Sequence, residues 1–264
     1  NSLINWWRKN RGIEEVPERN SRLARAAYWG LVAVLDEMIG KILNKLDELG
    51  LSEDTLVVYA SDHGDHLGER GLWWKHTFYD ESAKVPMILA HSSLSKGIRE
   101  EVVSLIDLAS TMTEAMGGES LPDSKGRSFW PLVTKGKQKW ENIAFSEYCT
   151  DSVPSWTGGR AVQQRMLRVD NWKLHYYHGD HLQLFDLLND PKELNNLADM
   201  PDFAEIRETM LAKLLEDWVP EEIEKTMAKQ RKNKDLLASW ASKTAPKSSF
   251  LWPLKPTMNR LDAE

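Results

Sequence analysis

Between residues 61 and 76 the chain sets Ser61-Asp62-His63-Gly64-Asp65-His66 ahead of Gly71-Leu72-Trp73-Trp74-Lys75-His76. Asp62 offers a carboxylate and His63 an imidazole, adjacent where an apolar run ends, so that both can approach one ion. Oxygen ligands suit Ca²⁺, Mg²⁺ or Mn²⁺, and an imidazole shifts the balance toward Mn²⁺ or Zn²⁺. Two ligands do not complete a coordination sphere, so others must come from elsewhere. Lys75 follows a mostly uncharged stretch and offers a point charge to an anionic oxygen. His76 offers a donor, or a proton for a leaving group. His66 reads as substrate-facing, and Asp65, Glu69 and Arg70 as substrate-facing or supporting groups, with a solvated turn favoured for Glu69 and Arg70. Plainer readings stand beside these: Asp62 capping a surface turn, and Lys75 laying its stem on tryptophan.

The elements around these residues determine whether they can meet. Residues 55–60 are β-branched and apolar, as expected of a strand buried on both faces, and residues 85–90 form a second strand with Pro86 near its start. Ligand-type residues at the carboxyl end of such a strand mark a candidate site. Upstream, Leu31, Leu35, Met38, Ile42, Leu46 and Leu49 fall at steps of three and four, which predicts an amphipathic helix over 21–49 with Ser21 as N-cap and Gly50 at C′. A further helix is expected over 108–116, capped by Ser104 or Asp107 and stopped by Gly117-Gly118.

Beyond about residue 140 the texture changes to short strand-like runs at 142–148, 161–169, 172–177 and 182–186. They are joined by Asp170-Asn171 and Gly179-Asp180 turns. Helices over 203–218 and 220–240 follow, and the tail from Ala245 is rich in Pro, Ser and Lys. The division is therefore an α/β layer over 1–140 and a small antiparallel-sheet subdomain with C-terminal helices and tail over 141–264.

Composition limits the function classes. The 264 residues carry 34 Lys and Arg against 40 Asp and Glu, a net charge of −6 that recruits no nucleic acid. Cys149 is the only cysteine, so no intrachain disulfide forms. No run of 18 apolar residues suggests a membrane span, and no signal peptide is visible, which leaves cytoplasm and periplasm both open. His175, His178 and His181 look like a metal cluster by composition, but on a hairpin they read as structural or solvated. Trp73-Trp74 reads as core packing, with Trp74 as one wall for a quaternary ammonium group the sharper alternative. The basic run 225–234 reads as a solvated helix face or subunit contact.

The order of blocks carries more than any one of them. SDHGD, LGERGLW, Lys75-His76, YDES and Val85-Pro86 resemble the formylglycine-dependent sulfatases of the alkaline phosphatase superfamily. The likeness extends over about residues 20–218, through GRSFWPLV and LFDLLNDPKELNNLA. GDHLGERGLWWK and PEEIEKTMAKQRKNK are similar to choline sulfatases, which usually lack histidine after the lysine. The resemblance implies the C-terminal part of an alkaline-phosphatase-like α/β sandwich and a sulfuric ester hydrolase. Asp62 and His63 would hold one divalent metal ion, Ca²⁺ first with Mn²⁺ or Mg²⁺ as alternatives, and Lys75 would hold the sulfate. The family's nucleophile is a formylglycine made from Cys or Ser in Cys/Ser-x-Pro-x-Arg, and no such motif occurs here; Cys149 stands in Glu-Tyr-Cys-Thr-Asp. The expectation is a chain that supplies half of an active site. The N-terminal half would come from the same or another polypeptide, and the substrate would be a small sulfate ester or a sulfated sugar. The alternatives are a phosphodiester or phosphonate monoester hydrolase of the same superfamily, and a non-catalytic module used in assembly. Missing core neighbours also predict exposed apolar surface and association, with a homo-oligomer as one form.

Overall fold

The computed structural model describes residues 2–119, 121–136, 138–150 and 161–244. The expected irregular tail from Ala245 lies outside the described residues. The chain is α/β, with a two-stranded ribbon near the middle and a four-stranded antiparallel sheet beyond it.

Helix α1 (Ser2–Arg11) precedes the long α2 (Glu18–Glu48). α2 starts earlier than the periodicity suggests. Pro17 at the N-cap, with φ −54° and ψ 138°, presets the entry, so Ser21 lies inside the helix and is buried. Gly50 does take the left-handed C′ position at φ 67°. β1 (Val57–Ala60) pairs antiparallel with β2 (Met87–Ala90). The expectation of a strand buried on both faces fails: β1 is half-buried throughout, because among the described residues only β2 lies beside it. The apolar stripe of α2 is uncovered too, with Leu31, Leu35, Met38 and Ile42 between 44% and 70% exposed. The predicted exposed apolar surface is therefore present.

Between β1 and β2 runs a long loop that ends in the single-turn α3 (Asp80–Ala83). α4 (Leu105–Ala115) is capped as expected by both candidates: the Asp107 carboxylate accepts the Ser104 N–H at 2.8 Å. After α5 (Trp130–Thr134) come β3 (Ile143–Thr150), β4 (Val162–Val169), β5 (Trp172–Tyr177) and β6 (Gln183–Asp186), paired in that order. α6 (Ala204–Leu215) and α7 (Pro220–Thr244) follow.

One face of this sheet is largely apolar, interrupted by Arg165, which donates to Leu214 O, and the other is mixed. Leu167, Leu174 and Leu184 pack under Met210 and Leu214 of α6. Strand alternation turns Val162, Gln164, Lys173, His175, Tyr177 and Gln183 to the opposite face. There α1 packs through Leu3 and Trp7 against Val162 and Tyr177, while Leu72 and Tyr79 of the loop pack against Phe185. The mixed face is the seat of the loop. No helix among the described residues is long and apolar enough to cross a membrane.

Candidate active site

The loop after β1 has a costly backbone. Leu67, Arg70, Trp74 and His76 all sit at positive φ (48°, 56°, 62° and 103°), alongside Gly68 and Gly71. Non-glycine residues avoid this region unless their surroundings enforce it. Asp65 Oδ1 accepts the N–H groups of Leu67 at 2.9 Å and Trp74 at 3.1 Å, and the His66 N–H donates to Trp74 O at 2.9 Å. Asp65 is thus an organiser of the loop backbone. Gly64 is required by close approach: its N–H donates to Ser82 O at 2.8 Å, and a Cβ there would lie 2.1 Å from the Glu81 carbonyl oxygen.

These constraints bring Asp62, His63 and Lys75 together. His63 Nδ1 lies 2.8 Å from Gly64 O, which can only accept, so Nδ1 carries the proton. Nε2 lies 2.7 Å from Lys75 Nζ, which can only donate, so Nε2 presents its lone pair. The 3.3 Å approach of Asp62 Oδ2 to the same Nε2 is then a meeting of two acceptors rather than a hydrogen bond. Only a cation resolves it, and Lys75 is the cation present. For Asp62, desolvation is the largest single influence and works upward, but the His63 ring, the local N–H groups and the Lys75 ammonium together outweigh it and hold the carboxyl below its ordinary value.

The donor set therefore fits a divalent metal in kind, a carboxylate beside an imidazole whose tautomer is set by its backbone partner. It does not complete one: among the described residues no group of three or more His, Cys, Asp or Glu side chains is placed to hold a metal ion.

Asp62, His63, Lys75 and His76 all line one cavity of about 460 Å³, whose far wall is built by β3 and β4, including Ser146, Tyr148 and Met166. His76 packs between Trp7 and Tyr148, with ring centroids 5.6 Å from each and the planes tilted by 46° and 58°. Burial, then the cations of Arg11 and Lys75, lowers its pKa to about 4. At neutral pH the ring is uncharged. In that form it can donate a hydrogen bond.

Two other expected substrate contacts do not line this cavity. His66 is 1% exposed, bonds Thr77 Oγ1 at 2.8 Å and does not line the cavity, because its ring fills the interior of the loop. Trp74 does not line this cavity but a small neighbouring one: it is 46% exposed, under the Arg11 guanidinium at 5.5 Å, since its left-handed backbone turns it outward. Glu69 is exposed as expected. Arg70 is not: it donates to the carbonyls of Lys192 and Glu193, pairs with Glu81 at 3.3 Å and stacks over Tyr79 at 4.2 Å. His175 is fully buried within bonding reach of Gln183 at 3.4 Å, and His178 pairs with Tyr176, so the three histidines form no cluster.

Sequence reading missed the groups beneath the loop. Lys173, 1% exposed, donates to Asp80 Oδ1 at 2.7 Å and pairs with Glu193 Oε1 at 2.7 Å. That second contact carries the Coulombic attraction of the Lys173 ammonium to the Glu193 carboxylate. Glu193 Oε2 accepts the Asp80 N–H at 2.7 Å, which anchors the start of α3. The available signal was Lys173 and His175 two apart in an otherwise apolar strand, a buried polar face written at period two.

The family model described as N-sulphoglucosamine sulphohydrolase, C-terminal, matches residues 68–219, and the sulfatase model matches residues 6–118. Choline-sulfatase of Rhizobium meliloti (strain 1021) is 36% identical over 190 residues, covering 71% of this chain and 35% of its own length. A solved 2-O GAG sulfatase superposes with a TM-score of 0.67 at 26% identity, over 78% of this chain and 44% of that one. A phosphonate monoester hydrolase from Silicibacter pomeroyi gives a TM-score of 0.64 at 30% identity, over 73% and 40% respectively. The chain thus spans about a third of the length of the curated relatives it matches. By these matches it belongs to the sulfatase family of the alkaline phosphatase superfamily.

Proposed function

We propose that this chain builds the cation-binding and sulfo-binding wall of a sulfuric ester hydrolase. The observation that carries the reading is the convergence of Asp62 Oδ2, His63 Nε2 and Lys75 Nζ at 3.3 and 2.7 Å on one cavity wall. Asp62 and His63 are the residues that would hold a divalent metal, which would supply positive charge to the oxygens of the transferred group. Lys75 adds a mobile cation to the same oxygens. A sulfo group is anionic throughout the reaction, so fixed positive charge favours the transition state wherever charge grows on those oxygens. His76, neutral and packed between two aromatic rings, donates a hydrogen bond toward the leaving alcohol. The attacking residue and the remaining ligands belong to the part of the relatives that this chain does not match. Sulfate esters of small alcohols or sugars suit a cavity of about 460 Å³.

The same donors serve phosphoryl oxygens, and likeness to a phosphonate monoester hydrolase keeps that reading as the second. Both are tested in the whole enzyme that contains this chain, with a sulfate monoester and a phosphonate monoester offered separately. Lys75→Ala should lower kcat/KM about 100-fold or more, the usual loss for one preorganised charge donor. Unchanged turnover with Lys75→Ala overturns the proposal, and a loss confined to the phosphonate selects the second reading. Asp62→Ala should in addition weaken cation binding followed by calorimetry with Ca²⁺ and Mn²⁺.

A further inference from the structure

Lys75 stands between two left-handed residues, Trp74 at φ 62° and His76 at φ 103°. Neither is glycine, so the backbone that aims the ammonium at His63 is strained and must be held by something else. On its amino side the hold is local: Asp65 Oδ1 takes the Trp74 N–H at 3.1 Å, and Trp74 O takes the His66 N–H at 2.9 Å. On its carboxyl side the hold comes from a distant strand. Gln164 of β4 is 0% exposed, and its Nε2 donates to the His76 carbonyl oxygen at 2.8 Å. Its amide orientation is set by chemistry, because the reversed amide would press oxygen on oxygen. Its other end, Oε1, is buried with no hydrogen-bond partner. A buried amide satisfied at one end only is a costly choice for packing, and the bond to His76 is what it secures.

Resting on the sulfo-binding role proposed for Lys75, we infer that Gln164 is a positioning residue that holds Lys75 through the His76 carbonyl. It touches neither the transferred group nor the ester. The strand that reads as a sheet interior therefore sets the geometry of the loop that does the chemistry.

The test is a double-mutant cycle in the whole enzyme. Gln164→Glu keeps the volume but, when ionised, offers no donor, and Gln164→Met removes polarity altogether. Either should lower kcat/KM for the sulfate ester about tenfold with Lys75 present, since small displacements of a charged contact are costly. In a Lys75→Ala background the same changes should cost less than about twofold, because positioning an absent side chain has no effect. Hydrogen exchange across residues 72–79 should quicken in both Gln164 variants. Additive losses in the cycle, or exchange unchanged from wild type, overturn the inference and leave the role of Lys75 standing. An inert Lys75→Ala is a different outcome: it removes the sulfo-binding reading first, and this inference with it.

Discussion

Replacing Lys173 by methionine should destabilise the protein more than any change at the loop surface. The ammonium lies 2.7 Å from both Asp80 Oδ1 and Glu193 Oε1, with side-chain exposures of 2% for Lys173, 0% for Glu193 and 25% for Asp80. At an effective dielectric of about 20 each contact has a gross attraction of about 6 kcal/mol. Most of that is offset by the desolvation of the three charges. What Lys173→Met loses is the compensation: Glu193 remains buried without a cation and Asp80 keeps only the exposed Lys84 at 3.9 Å, a situation that typically costs about 3–5 kcal/mol. Because Asp80 retains access to water, the lower half of that range is expected. For a chain of this size it corresponds to a fall in Tm of roughly 6–16 °C. Glu193 supplies the pH dependence. Burial outweighs the nearby Lys173 ammonium and raises its pKa above the ordinary 4.5. A carboxyl raised in the folded state contributes stability below its ordinary pKa and loses it as pH rises through the folded value. Without Lys173 that value moves further up, so the deficit of the variant should be smallest near about pH 4.5 and widen toward about pH 8. Urea denaturation across that range measures it, and adding Glu193→Gln to Lys173→Met should recover part of the loss by removing one stranded charge. A deficit below about 1 kcal/mol, or one indifferent to pH, would refute the argument that the cluster is a buried, mutually compensating set.

Three smaller perturbations test other parts of the molecule. Gly64→Ala places a Cβ 2.1 Å from the Glu81 carbonyl oxygen, so β1 and α3 must part. A loss of about 1–3 kcal/mol in denaturant titration is expected, together with weaker cation binding by Asp62 and His63. Burial, then the Glu147 carboxylate, pushes the Cys149 thiol up to about 11. Alkylation at about pH 8 should therefore be on the order of 100-fold slower folded than unfolded, since the thiolate is the nucleophile; equal rates would contradict the half-buried placement. The open stripe of α2, with Leu31 at 70% and Ile42 at 62% exposed, predicts strong binding of a naphthalene sulfonate dye by this chain on its own. Ile42→Glu should weaken that binding.

Much of this protein was legible in its residues. Asp62, His63 and Lys75 could be singled out because an acidic ligand, an imidazole and a lysine follow an apolar strand in a fixed order, and that order survives without knowledge of contacts. The sheet was readable for a similar reason: period-two alternation and the Asp170 and Gly179 turns are local signals, and β5 begins and ends where the pattern places it. Exposure was not legible. The helix periodicity of α2 shows which face is apolar, but burial depends on what lies against it. His66 and Trp74 are eight residues apart on the same loop. Only the sign of φ at Trp74 and the reach of Asp65 decide that one fills the interior and the other faces solvent. The supports of the site lie furthest beyond sequence reasoning. Gln164 meets the His76 carbonyl across 88 positions, and Glu193 meets the Asp80 N–H across 113. No local pattern encodes such pairings. They exist because the sheet turns one polar face toward the loop, and a strained loop needs partners that its own neighbours do not provide.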